Sequence, residues 1–328
     1  MNQITASNDA FRNARVLVIG AAGFIGRWVA RRLSTNGAIL TLAVRNTPAA
    51  VPIFARWGVK GEVVEVDLRQ PGAGQLLVET HRPQVVFNLA GYGVDRRETE
   101  IALGRRINTE LVVELAAALN NLDPAPLPGQ QLVHAGSALE YGSVPGDLSE
   151  SGPVEPIGWY GETKRAATQH LAAMRHRHGL RAITARLFTV YGPGEHAGRL
   201  LPSLLHASRA GAPLPLTAGT QRRDFTYVED VAQGLLRLAT LDACGMDVVN
   251  LATGKLHTVR RFSEIAAKAL SIPDGNLRFG EIPQRGEEMV HDPVNINRLR
   301  SLVDWTPTTE ILDGIRQTRQ FEERPTND

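Results

Sequence analysis

Cysteine is nearly absent: Cys244 stands alone. A single thiol excludes an intramolecular disulfide and any metal cage built on thiolates, and it fits a reducing, cytoplasmic setting. Lysine is scarce too, limited to Lys60, Lys164, Lys255 and Lys268. Nearly all positive charge therefore sits on guanidinium groups that stay protonated, and a lysine inside a motif stands out. An excess of one charge sign is also missing. The net charge of +2 is too small for a protein that tracks nucleic-acid phosphates. No run approaches the roughly 20 apolar residues that cross a bilayer, so no membrane partner is expected. The polar stretch Met1–Asn13 lacks the apolar centre of a secretion signal, and residues 1–13 are expected as a disordered tail.

What is present is ordinary globular composition, 43% hydrophobic and 21% charged over 328 residues. That length predicts one nucleotide-binding domain and a smaller dependent lobe. Short apolar runs rich in β-branched residues occur at Arg15–Ile19, Ile39–Val44, Glu62–Val66, Val85–Leu89, Gln131–Ala135 and Ala182–Leu187. Helix-length stretches separate them, so the fold class is α/β, a Rossmann-like doubly wound parallel sheet. Helices are predicted at Phe24–Ser34, Glu98–Asn120 and Tyr160–His178, the last stopped by Gly179. From Gly192 onward Pro and Gly become denser. The expected division is a dinucleotide domain over 14–190, rejoined by 224–250, with 191–223 and 251–328 forming a mixed α/β substrate-binding lobe.

Gly20-Ala-Ala-Gly23-Phe24-Ile25-Gly26 lies between the first strand and first helix. Missing side chains there let backbone N–H groups approach a pyrophosphate at a helix N-terminus. The second strand of such a unit normally ends in a carboxylate that binds the adenosine ribose of NAD. Here Val44 and Arg45 stand at that place, and a guanidinium suits a 2′-phosphate by charge and by forked geometry. NADP(H) is thus the favoured cofactor and NAD(H) the alternative, with Arg27 able to assist. Asp67 and Leu68 after the third strand, and Leu89, Ala90 and Gly91 after the fourth, fall on the ligand side of the sheet, facing adenine and the nicotinamide ribose respectively.

Tyr160-Gly-Glu-Thr-Lys164 opens a helix, and a spacing of four puts the phenol and ammonium one turn apart on one face. A nearby ammonium together with oxidised nicotinamide stabilises a phenolate and is expected to bring proton transfer toward neutral pH. Ser137 follows the fifth strand, placed to hydrogen-bond a substrate carbonyl or alcohol oxygen. No metal site is expected, because His176 and His178 lack ligand spacing and His134 reads as a strand residue.

Taken together, these segments resemble the extended short-chain dehydrogenase/reductase family, nucleotide-sugar branch. The resemblance extends to Asn108, to Arg186-Leu187-Phe-Thr189-Val-Tyr191-Gly-Pro-Gly194, to Arg223-Asp-Phe-Thr-Tyr-Val-Glu-Asp230 and to Trp305-Thr-Pro307. It implies cofactor contacts at Asn108 and Leu187, and a nucleotide-sugar site with Ser137, Tyr160 and Thr189, where Arg223 and Arg285 neutralise a diphosphate. It also implies a homodimer formed through the two long helices. Family dehydratases carry an Asp-Glu pair directly after the residue matching Ser137, and decarboxylases carry a Glu two places after it. This chain has Ala138 and Leu139, which argues against both reactions. Family epimerases often have Asn at the place of Thr189. The expected activity is an NADP(H)-dependent reductase of a nucleotide-diphosphate 4-keto (deoxy)sugar, with Tyr160 as proton donor. A 4-epimerase holding NAD tightly is the alternative, and a non-catalytic cofactor-binding regulator is a minor one.

Overall fold

A computed structural model of the chain describes residues 10–95, 97–122, 129–144, 146–242, 245–283 and 293–324. Its main sheet contains β1 (Arg15–Ile19), β2 (Ile39–Val44), β3 (Glu62–Glu65), β4 (Val85–Asn88), β5 (Leu132–Ser137), β6 (Ala182–Leu187) and, from much later in the chain, β10 (Val248–Leu251). These seven strands run in the order β10-β6-β5-β4-β1-β2-β3, all pairs parallel. The smaller strands are β7 (Thr189–Tyr191), β8 (Leu214–Leu216), β9 (Arg222–Tyr227), β11 (Leu256–Thr258) and β12 (Leu277–Phe279). They form a three-stranded sheet, β11-β9-β7, and a two-stranded one, β12-β8.

The helices are α1 (Phe24–Thr35), α2 (Thr47–Trp57), α3 (Ala73–His81), α4 (Ile101–Arg105), α5 (Leu111–Asn120), α6 (Gly158–His178), α7 (Leu200–Ala210), α8 (Val228–Ala239), α9 (Val259–Leu270), α10 (Asn297–Val303) and α11 (Ile311–Glu322). Strand alternation explains the layering, because successive side chains leave a strand on opposite faces. Val16 and Val18 of β1 join a core with α1, α2 and α8, while Leu17 and Ile19 join one with α3, α5 and α6. Both faces are covered, so the strands are apolar throughout. The second lobe has its own core, where Phe225 stacks on Phe262 at 4.3 Å beside Tyr191, Leu204 and Ile315.

Three features differ from the sequence expectation. Residues 10–13 of the expected tail form a turn, with Phe11 5% exposed against Phe87; an aromatic ring with core to bury anchors the chain there. The helix expected over Glu98–Asn120 begins only at Ile101 and is interrupted by a π-helical turn, Arg106–Glu110, between α4 and α5. Glu98 instead accepts the Gly93 and Asp95 N–H groups at 2.7 and 3.2 Å, which keeps it in the preceding loop. Finally, β5 runs two residues past Ala135 to Ser137.

The strand order reverses between β1 and β4, and the crevice at their C-terminal ends is where such sheets bind ligands. Gly20 and residues Leu89 to Gly91 line that crevice.

Candidate active site

The glycine turn is built by close backbone approach. Gly20 has φ +75°, and a Cβ there would lie 3.0 Å from Ala90 N and Leu89 C. At Gly26 a Cβ would collide with the Gly20 carbonyl oxygen. Gly23 caps α1 with no side-chain hydrogen bond, so the N–H groups of the first turn remain open, and Phe24 and Ile25 contribute to that turn. This is a cradle a Cβ would fill, ending at a helix N-terminus, and it fits a dinucleotide pyrophosphate. Arg27 does not stand free beside it. Its Nε and Nη2 donate to Gly23 O and Ala22 O at 3.0 and 2.9 Å, and its guanidinium lies 5.4 Å from the Trp57 ring.

Arg45 follows β2 and is exposed, with no ion pair to a described residue. Asp67, after β3, is engaged by Arg69 Nε at 2.8 Å and by Gln70 Nε2 at 3.2 Å. The hydrogen bonds from Arg69, then that from Gln70, hold its carboxyl well below the usual range. Leu68 packs on the α3/α5 core. This loop is tied to α5, because Glu114 accepts the Gly72 and Gly74 N–H groups and pairs with Arg106 at 3.0 Å.

Leu89 and Ala90 are half-buried, and Gly91 is exposed. A Cβ on Gly91 would lie 3.6 Å from Lys164 Nζ and 3.8 Å from Asn108 Oδ1, so the structure brings these three together. Asn108, fully buried in the π-helical turn, accepts from Tyr92 N and donates to Tyr92 O and to Thr163 Oγ1 at 2.9, 2.8 and 3.0 Å. π-Helical turns of this kind recur at functional sites, and this one clamps the loop after β4 to α6.

At the other side of the crevice, Ser137 ends β5 while Tyr160 and Lys164 lie in the first turns of α6. Burial pushes the Tyr160 phenol above its ordinary value, and the neighbouring Ser137 side chain acts against that rise. The lowering expected from the sequence requires oxidised nicotinamide beside the ammonium. In the protein alone, desolvation of the phenol outweighs any help from Lys164, whose Nζ donates to Ala135 O at 3.0 Å. Lys164 is 3% exposed; burial pushes it down to about 8, and the charge of Glu140 opposes that shift.

Trp159 and Glu140, which had no assigned role in the sequence, adjoin the site. Trp159 wedges α6 against the loop after β4, since a Cβ on either Gly93 or Gly104 would collide with its ring. Its ring meets Tyr160 edge-on at 6.2 Å. Glu140 turns beneath the site toward Arg186 and Ser137 N. Glu195, after β7, pairs with Arg199 at 3.5 Å while its side chain is only 6% exposed, and burial raises its carboxyl to about 7.

Toward the second lobe, Leu187 is buried at the end of β6 and Thr189 is half-buried on β7. Thr189 pairs with Phe225 of β9, two residues beyond the half-buried Arg223, whose Nη1 donates to Arg222 O. Arg285 lies outside the described residues, as does Cys244. Among the described residues no cluster of three or more His, Cys, Asp or Glu could hold a metal ion. No described helix is long and apolar enough to cross a membrane.

Comparison with known proteins agrees with this geometry. Residues 16–252 match the profile of the NAD dependent epimerase/dehydratase family. The chain is 30% identical to dTDP-6-deoxy-L-talose 4-dehydrogenase (NAD(P)(+)) of Kitasatospora kifunensis, over 93% of this chain and 94% of that protein. It is 29% identical to UDP-glucose 4-epimerase of Mycolicibacterium smegmatis, covering 94% and 98%. Among solved structures, MoeE5 in complex with UDP-glucuronic acid and NAD superposes with a TM-score of 0.80 at 26% identity, covering 94% of this chain and 98% of MoeE5.

Proposed function

Because the chain belongs to the NAD dependent epimerase/dehydratase family, we propose that it catalyses the NADPH-dependent reduction of a nucleotide-diphosphate 4-keto deoxysugar. What carries this reading is the set of groups beside Ser137. Ala138 is buried, Leu139 offers only an apolar side chain, and the Glu140 carboxylate is consumed by Ser137 N and Arg186 Nε. Removal of water or carbon dioxide from a sugar needs a further acid/base group, and none stands there. What is left suits one operation, proton exchange with a sugar oxygen while hydride moves at the adjoining carbon.

In this mechanism the bound dinucleotide supplies the hydride. The open N–H groups after Gly23 would hold its pyrophosphate, and Arg45 would take the 2′-phosphate. Asn108, Gly91 and Lys164 would border its ribose, and Leu187 its nicotinamide. Ser137 donates a hydrogen bond to the ketone oxygen, and Tyr160 Oη delivers the proton that completes the alcohol. Lys164 offsets the negative charge left on Tyr160. Thr189 lines the sugar, and Arg223 with Arg285 neutralises the diphosphate. The talose 4-dehydrogenase relative supports this chemistry, since oxidation at a 4-hydroxyl is its reverse.

The test uses protein freed of nucleotide, a dTDP- or UDP-linked 4-keto-6-deoxyhexose, and NADPH or NADH, followed by loss of the reduced cofactor. NADPH is expected to be preferred. Arg45→Ala should raise the NADPH KM about 10–100-fold, the value of one or two charge-assisted hydrogen bonds, with little change for NADH. Interconversion of 4-epimeric nucleotide sugars without added cofactor would refute the proposal and establish the epimerase reading.

A further inference from the structure

Beneath Ser137, Tyr160 and Lys164 lies a charge pair that the mechanism above does not use. Glu140 is 0% exposed and Arg186 3% exposed, with Arg186 Nε donating to Glu140 Oε2 at 3.1 Å. Two charges removed from water rarely repay their desolvation by stability alone, and apolar residues of similar volume would serve as well. The pair is therefore a candidate for a specific task.

Its geometry is directed at the trio. The second oxygen of Glu140 accepts the Ser137 N–H at 2.9 Å, and Ser137 Oγ accepts the Leu139 N–H at 3.2 Å, a reciprocal cap. The cap fixes the serine backbone and occupies a lone pair of its hydroxyl, so the O–H is left to donate. Gly136 makes room for this, because a Cβ there would lie 2.6 Å from Glu140 Oε1. On its far side Arg186 covers the Tyr141 ring at 4.4 Å. Tyr141 Oη donates to Asn250 Oδ1 at 2.8 Å, and Asn250 Nδ2 donates to Leu148 O and Asn295 O. The carboxylate is thus backed, through Arg186 and Tyr141, by a hydrogen-bonded chain that ends at Asn295.

Lys164 is the only buried lysine; Lys60, Lys255 and Lys268 are exposed. From β5 it meets His134, which burial keeps well below its usual value and so neutral. Tyr160, one turn back from Lys164 on α6, is held neutral by burial, and the uncharged Asn108 of the π-helical turn shares the neighbourhood of Gly91 with Lys164 Nζ. Arg186 stands behind Glu140 on β6. Lys164 Nζ reaches Ala135 O at 3.0 Å, and Glu140 Oε1 lies 2.6 Å from where a Cβ of the next residue, Gly136, would be, so Glu140 is the carboxylate that acts on Lys164.

We propose that Glu140 is a positioning residue for Ser137, Tyr160 and Lys164: one oxygen fixes the backbone that presents the Ser137 hydroxyl, and its charge holds Lys164 as an ammonium in a site closed to water. The proposal rests on reading these three as the reacting group, yet its test needs neither cofactor nor sugar, so the two fail separately. The free protein is labelled with ε-¹³C lysine and its few lysine signals are titrated, K164M assigning the buried one. Wild-type Lys164 is expected to titrate near pH 8. Glu140→Gln preserves shape and the acceptor for Ser137 N but removes charge, and should lower that midpoint by about one pH unit, tenfold in proton affinity. Glu140→Asp should stay within a few tenths of wild type, and E140Q/R186Q should fall between wild type and E140Q. If E140Q fails to fold, the uncharged double variant decides. A wild-type midpoint in E140Q or, failing that, in the double variant overturns the proposal. With the sugar substrate, E140Q should move the alkaline limb of kcat by the same amount and leave KM unchanged.

Discussion

Gly26→Ala tests the cofactor cradle at its tightest point. A methyl group there would sit 2.9 Å from Gly20 C and 3.0 Å from Ala21 Cα, and would collide with Gly20 O. Every atom it meets is backbone, so no rotamer change relieves the clash. To restore van der Waals contact, α1 must withdraw from the turn by about 1 Å, an overpacking strain of about 1–3 kcal/mol. Buttressed by Trp28, Val29 and Leu33 in the core, the helix tolerates that strain and the protein stays folded, melting a few degrees lower. Cofactor binding does not tolerate it. The open N–H groups after Gly23 move with the helix, and a displacement of about 1 Å in a positioning element costs about 100-fold. Titration of reduced-nicotinamide fluorescence should therefore show a Kd raised about 100-fold for NADPH and NADH alike, since the pyrophosphate is common to both. An unchanged Kd in a folded Gly26→Ala protein would show that the turn does not carry the phosphates.

Two titrating groups give pH-dependent outcomes of opposite sign. Lys164 is lowered from 10.5 to about 8, so its buried charge is a full penalty below about pH 8, and stability from this group rises between about 8 and 10.5 as the folded state loses a proton the unfolded chain keeps. Lys164→Met should be inactive yet about 1–3 kcal/mol more stable at pH 7, an advantage that shrinks by pH 10; thermal melts that place the variant below wild type at pH 7 would contradict this. Glu195 is raised from 4.5 to about 7, so the folded state retains a proton the unfolded chain has lost, and stability falls as pH rises across that window. Glu195→Gln should abolish that slope and gain about 1–3 kcal/mol at pH 8, measured by urea denaturation at pH 5 and pH 8; parallel behaviour of the two proteins would count against it.

The glycine turn and the Tyr160/Lys164 spacing were legible because both are local. A tight turn and a four-residue helical step are written in consecutive residues, and the alternation of apolar runs with helices carried the parallel α/β class of the sheet, though not its strand order. What the chain did not disclose depends on contacts across sequence. Asn108 sits in an α-helical pattern, and only its bonds to Tyr92 and Thr163 explain the π-helical turn. Trp159 reads as an ordinary aromatic neighbour of Tyr160 until Gly93 and Gly104 are found pressed against its ring. Spacing reports the lysine beside the phenol but not the burial that raises the phenol in the protein alone.

The position of β10 at the margin of the large sheet has a consequence for how the molecule is made. Its partner β6 is buried along its whole length, yet the strand that covers its outer edge arrives only with Val248. On the ribosome, a nascent chain that has completed β6 still presents a row of unpaired amides on an apolar strand, the kind of edge that recruits other chains. That edge closes only after the first segments of the second lobe have been synthesised. Release of a prematurely ended polypeptide would therefore yield a sticky, incomplete sheet rather than a spare nucleotide binder, and quality control would meet it as a misfolded protein.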